Sequence, residues 1–332
     1  STNRGSKTLP DVYQEELEGA NVTFRWDKKT HLGATWYQSK IDRDFPFEYK
    51  SSYWTRFPDK RTFSVAGVDF ATKIKRTSLF AEFGRRKDGG DAYLLKSLTE
   101  LERFKLETIY YDYDTDFSNP HSKSFGTDTD EKGYYMKGDY KFSKKWKAQA
   151  YYKQWKTHST LVTDDEWKGK IDYSPVKNLT LSYYRKWRNN DIDRNGRGRS
   201  STEGETITDN FKCMYSPIKR LKLETSYTFY QRDVSKYTDK FQEDQTAYFK
   251  VRYDLPKPKG LTLEGRMKYW DSDIHTDKYT RYQEYYLQAT EKFTKDIKLR
   301  LRYTYKNYTN EDYTPAEDEP QNKIFVQLDV KW

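Results

Sequence analysis

The chain has 332 residues, a formal net charge of +10 and 34% charged side chains, with no apolar run long enough for a helical membrane span. It also carries 31 Tyr, 18 Phe and 9 Trp, which excludes a disordered chain, since disordered chains are poor in aromatics. A single cysteine, Cys213, excludes an internal disulfide and a cysteine-based metal cluster.

Residues 1–19 read as a polar leader without the basic and apolar regions of a secretory signal, and residues 20–332 as one domain. From residue 20 the dominant pattern is alternation. Ala20, Val22, Phe24 and Trp26 share one parity, as do Leu32, Ala34 and Trp36, then Leu79, Ala81 and Phe83. The stretch Ala92 to Arg103 is ambiguous, because its apolar spacing suits a helical turn as well as a strand. Alternation resumes with Leu106, Thr108 and Tyr110, with Tyr134, Met136, Tyr140 and Phe142, and with Trp146, Ala148, Ala150 and Tyr152. It is cleanest in Leu221–Phe229, Leu261–Tyr269 and Ile297–Tyr305. A period of two means strands with one apolar and one polar face.

Two kinds of connection alternate across residues 103–332. Short ones carry turn chemistry, at 143–145, 174–178, 216–220, 255–260 and 294–296. Long polar ones lie near 114–132, 157–165, 188–206, 231–243, 271–283 and 307–321. Short turns at one end and long loops at the other are the asymmetry of outer-membrane barrels, so the expected fold is all-β: a transmembrane antiparallel up-and-down β-barrel of about 16–18 strands. Tyr and Trp gather toward the strand ends (Trp146, Tyr152, Tyr173, Tyr183, Trp187, Tyr227, Tyr253, Tyr269, Trp270 and Trp332), as interfacial girdles do and as a soluble sandwich has no reason to do. Cys213 shares its parity with Phe211 and Tyr215 and is expected to face lipid.

The polar parity carries the charge. On the strands from 247 to 306 it holds Lys250, Arg252, Arg266, Lys268, Lys298, Arg300 and Arg302, diluted by carboxylates such as Glu264, with Glu224 and Asp172 on earlier strands. In a barrel this face is the lumen, where charge is hydrated. Charge on the lipid face would cost about 2 to 4 kcal/mol per residue near the midplane. Two readings follow for these cations. Either they pair with the carboxylates across strands, or they leave a field that admits anions. The second gives a channel for anionic solutes. The alternative is a structural sheath around an acidic partner, such as a multihaem cytochrome or a secreted polymer, the chain itself having no haem-attachment motif.

No nucleophile elbow, phosphate loop or zinc spacing is present, so neither catalysis, a metal nor a cofactor is expected. The four histidines, His31, His121, His158 and His275, fall in expected turns or loops, His275 among Asp271, Asp273 and Asp277.

The final stretch, Ile324 to Trp332, alternates and ends on an aromatic. It resembles the terminal strand by which the barrel assembly machinery addresses outer-membrane proteins, with Trp332 as the signal. The segments NPHSKSFG (119–126) and GYYMKGDY (133–140), with the final NKIFVQLDVKW, are similar to the barrel portion of outer-membrane proteins that carry helix-hairpin-helix repeats. More broadly the chain resembles bacterial outer-membrane porins. That resemblance implies the outer membrane as location, and its lipid and lipopolysaccharide as partners. Helix-hairpin-helix repeats imply nucleic-acid contact, but residues 1–19 contain none, so no direct nucleic-acid binding is expected.

Overall fold

A computed structural model of the chain describes residues 15–41, 62–87, 89–117, 130–159, 161, 163–190, 204–235, 240–256, 260–272, 274, 281–309 and 320–330. These contain seventeen strands and no helix, a count inside the expected range of about 16–18. Accordingly no helix among the described residues is long and apolar enough to cross a membrane. The chain forms two compact units, Ser1–Lys137 with Lys153–Thr163, and Gly138–Tyr152 with Asp164–Trp332.

The first unit holds β1 (Glu15–Arg25), β2 (His31–Ile41), β3 (Thr62–Ile74), β4 (Thr77–Arg86), β5 (Asp91–Glu100) and β6 (Phe104–Tyr113), each antiparallel to the next. The stretch with two readings is therefore a strand, β5. Its ambiguity has a physical source. Tyr93 and Leu95 are exposed on one face, while Ala92 and Leu94 on the other face join a buried cluster with Ile109, Tyr111, Tyr113 and Phe117. With apolar side chains on both faces the period of two is lost. His31 opens β2 rather than lying in a turn, and its Nε2 is 3.0 Å from Asp69 Oδ2. Strand β1 begins at Glu15.

Strands β7 (Glu131–Lys141) and β8 (Trp146–Thr157) each contribute to both units. The second unit continues with β9 (Thr163–Tyr173), β10 (Leu179–Asn190), β11 (Gly204–Ile218), β12 (Leu221–Ser235), β13 (Lys240–Asp254), β14 (Leu261–Ser272), β15 (Arg281–Lys292), β16 (Ile297–Thr309) and β17 (Gln321–Val330). From β9 to β17 every strand pairs antiparallel with its successor. Strands reach into the expected long loops: β12 runs to Ser235 and β13 starts at Lys240, where a loop was expected over 231–243. The sequence there has polar residues in both parities, such as Arg232 and Asp233, so the alternation cannot be read. At the other end β11 continues through Ser216 and Pro217 to Ile218, with a register shift after Tyr215. The tight turn shrinks to Lys219 and Arg220.

Register makes the two faces continuous. Leu223, Val251, Gly265, Leu287, Tyr303 and Ile324 are successive partners across β12–β17. One residue along, the row reads Glu224, Lys250, Arg266, Tyr286, Thr304 and Lys323. A one-residue slip would exchange apolar for charged over the whole width, so the hydrophobic pattern fixes the register. The apolar row faces outward into solvent: Leu287 is 69% exposed and Ile324 79%. A broad exposed apolar face on a paired sheet is what contact with hydrocarbon requires, since the backbone is already satisfied within the ladder. Leu287→Arg is therefore expected to destabilise the folded protein by about 2–4 kcal/mol. Thr304→Arg, on the polar face, should stay within about 0.5 kcal/mol. Urea titration of the protein folded in lipid vesicles reads both.

Candidate functional site: a cationic strand face

Most charged side chains of β11–β17 lie on the polar strand face. Glu224 accepts from Lys212 Nζ at 2.7 Å, lies 3.4 Å from Lys250 Nζ, and also accepts the Tyr248 hydroxyl. Arg266 pairs with Glu284. Arg252 lies 3.3 Å from Asp254, and Lys298 lies 3.8 Å from Asp329. Four of the seven expected wall cations therefore have carboxylate partners.

Among the described residues the other three do not. Lys268 Nζ donates to the Tyr282 hydroxyl at 2.8 Å, Arg300 Nη1 to Gln327 Oε1 at 3.1 Å, and Arg302 Nε to Gln288 Oε1 at 2.9 Å. A phenol or an amide satisfies a donor without cancelling its charge, so Lys268, Arg300 and Arg302 have no carboxylate in ion-pair contact among the described residues. Glu264 on the same face accepts the hydroxyl of Tyr286. The ring of Tyr286 in turn lies under two guanidiniums, Arg266 at 4.6 Å and Arg302 at 5.0 Å. Lys306 lies over Tyr282 at 3.6 Å and Tyr308 at 4.3 Å. Cations over ring faces gain from the ring quadrupole without losing their charge. These phenols could be placed in the sequence only once the polar parity was read as rich in Tyr as well as Lys.

All seven cations thus share the face opposite the exposed apolar one, spread over β13, β14 and β16. Trp332 lies outside the described residues, as do His121, His275 and the segment NPHSKSFG.

On the apolar face, phenols point their hydroxyls toward the long-loop end. Tyr183 donates to Asp209 at 2.6 Å, Tyr269 to Asp271 at 2.9 Å, and Tyr227 to Gln245 at 3.1 Å. Each acceptor lies further toward the long loop than its donor, which is how tyrosines sit at a lipid–water boundary. At the short-turn end Trp146 stacks on Tyr173 at 4.1 Å. Trp270 is no girdle residue: it pairs with Thr246 and Tyr282 on the polar face, its ring 5.0 Å from that of Tyr282. An even-numbered position two beyond Lys268 already had the polar parity.

In the first unit, one grouping has mixed ligand chemistry: Asp112, Asp114 and His158 bring carboxylate and imidazole atoms within 4.8 Å of one another. His158 Nε2 lies 2.8 Å from Asp112 Oδ1, and the Tyr110 hydroxyl donates to Asp112 Oδ2 at 3.2 Å. Asp114 Oδ2 accepts the Asp91 backbone amide at 2.9 Å. The three side chains are thus held by hydrogen bonds within the first unit.

No protein-family model matches the sequence, and no curated protein matches it. Solved structures do. OccAB1 of Acinetobacter baumannii superposes with a TM-score of 0.56 at 12% identity, over 96% of this chain and 90% of that one. OccAB2 of the same organism gives 0.49 at 14% identity, over 96% and 91%. The outer membrane protein OpdK from Pseudomonas aeruginosa gives 0.48 at 10%, over 94% and 92%.

The fold is that of a bacterial outer-membrane, porin-like β-barrel. With the exposed apolar face and its tyrosine boundary, this fold gives an outer-membrane location. In such a barrel, Cys213 belongs to the lipid side, since its register partners are Leu181 and Thr225 and its strand neighbours on that face are Phe211 and Tyr215. Hydrocarbon disfavours the thiolate that reacts with electrophiles. In lipid vesicles Cys213 should therefore resist a sulfonated maleimide that labels the urea-unfolded chain to completion, as read by intact mass.

Proposed function

We propose that this chain is an outer-membrane channel whose polar strand face lines a water-filled lumen and favours anions over cations. One observation carries the reading: Lys268, Arg300 and Arg302 hydrogen-bond to Tyr282, Gln327 and Gln288, and among the described residues none has a carboxylate within ion-pair distance. Their charge is left to act on a solute. A low-dielectric wall focuses such a field into the aqueous path, raising the local concentration of anions. The paired cations, Lys250, Arg252, Arg266 and Lys298, contribute less to that field, because Glu224, Asp254, Glu284 and Asp329 offset them nearby.

Outer-membrane lipid and lipopolysaccharide would surround the apolar face, and the C-terminal segment with Trp332 would be the part that the assembly machinery reads. The reading needs no cofactor and no chemistry at the wall.

Single-channel recording in a potassium chloride gradient tests it. The wild-type reversal potential should take the sign of chloride preference. In Arg300→Glu/Arg302→Glu each reversal changes two charge units, and at about 10 Å in water one unit is worth about 0.4 kcal/mol before screening. With salt screening the anion-to-cation permeability ratio should fall roughly three- to tenfold. A cation-selective wild type would refute the reading, as would a double variant with an unchanged reversal potential.

A further inference from the structure

Asp112, Asp114 and His158 of the first unit come from two segments, the end of β6 and the residue that follows β8, with Asp112 and His158 46 residues apart. Backbone bonds hold these segments side by side. The Asp130 amide donates to the Asp114 carbonyl, and the His158 amide donates to the Asp130 carbonyl, both at 3.2 Å. The Asp130 carboxylate is taken up elsewhere, by Thr115 Oγ1 at 3.0 Å and the Ser159 amide at 2.9 Å. Both carboxylates of the group are oriented from outside it, Asp112 Oδ2 by the Tyr110 hydroxyl and Asp114 Oδ2 by the Asp91 amide. Each then keeps its second oxygen for a shared partner, and outer donors of this kind orient metal-ligating carboxylates.

Charge does not balance within the group. Among the described residues neither carboxylate has a Lys or Arg in ion-pair contact, and an imidazolium would cancel only one of the two negative charges. A divalent cation cancels both. The donor set then selects the ion. Ca²⁺ and Mg²⁺ take shells of oxygen, whereas one imidazole nitrogen with carboxylate oxygens suits Zn²⁺. The position gives access from the medium. Asp112 is the register partner of Tyr93, which is exposed on the outward face as Tyr110 is. The Tyr110 hydroxyl points to Asp112 as the other boundary tyrosines point to their acceptors, so the group lies where the apolar surface ends. Asp114 is exposed there.

We propose that Asp112, Asp114 and His158 form a zinc site at the long-loop end of the first unit, completed by water, and that the bound ion ties the end of β6 to the end of β8. The proposal is independent of the anion-channel reading, because none of its residues belongs to the cationic wall.

The probe is zinc chloride, titrated calorimetrically into the full chain after refolding from urea in detergent, which carries over no lipopolysaccharide. Zinc should saturate a single site per chain, and calcium chloride at the same concentrations should give no comparable binding. His158→Ala and Asp114→Asn should each weaken zinc binding about tenfold or more, whereas the double variant His121→Ala/His275→Ala should bind as wild type does. Zinc should also raise the thermal unfolding midpoint of the wild type and leave that of His158→Ala unmoved, since an ion held only by the folded chain stabilises it. A wild type that takes up no zinc, that binds calcium equally well or whose midpoint zinc does not shift overturns the site. Unchanged binding in His158→Ala overturns it too, as does lost binding in the double variant. Should His158→Ala fail to fold, His158→Gln takes its place with the same outcomes. Zinc-edge X-ray absorption of the wild type needs no variant: one imidazole per zinc among oxygen neighbours at about 2.0–2.2 Å supports the site, and a shell of oxygen alone or of several imidazoles overturns it.

Discussion

A charge cannot rest in hydrocarbon, and a backbone amide cannot go unpaired there. In β11–β17 these two costs decide nearly everything. The first sends the Lys and Arg of those segments to one face, Arg281 at the long-loop end of β15 being the exception, paired with Asp271. The second forces continuous antiparallel ladders, in which each strand is held by its neighbours. Together they make register an all-or-none property, because the row from Leu223 to Ile324 and the row from Glu224 to Lys323 are one residue apart. Tyrosines then mark where the hydrocarbon ends, their rings on the apolar side and their hydroxyls on Asp209, Asp271 and Gln245.

The polar face has its own logic. Cations crowded on one wall repel each other and need partners. Here some partners are carboxylates and others are neutral: Tyr282, Gln288 and Gln327. The tyrosine hydroxyls also occupy carboxylates, as Tyr286 does at Glu264 and Tyr248 at Glu224. Such a bond orders the wall without changing its net charge, and Glu224 still meets Lys212 and Lys250. The same surface is thus ordered by many hydrogen bonds and still able to act electrostatically on a solute.

The first unit shows where alternation stops being informative. In Ile109-Tyr110-Tyr111-Asp112-Tyr113 both parities are apolar or aromatic, and in β5 leucines occupy both faces. Tyr111 is fully buried beside Tyr113 and donates to Glu131. A polar-face position that is covered by neighbouring residues can be apolar, and then period two vanishes from the sequence although the strand is real. The long strand ends of the second unit fail in the opposite way. Beyond the lipid both faces are wet, so β12 and β13 continue through sequence that reads as loop.

The sequence by itself determined the strand-rich fold, the alternation of short and long connections, and which parity carries the cations, because the penalty for charge in lipid is local and is written residue by residue. It also placed Cys213 on the apolar parity. Tertiary structure alone decided which cations are neutralised. Whether Arg302 meets Glu264 or Gln288 depends on the registers of three strands and on where a tyrosine ring intervenes, and pairing between strands is not encoded within either one.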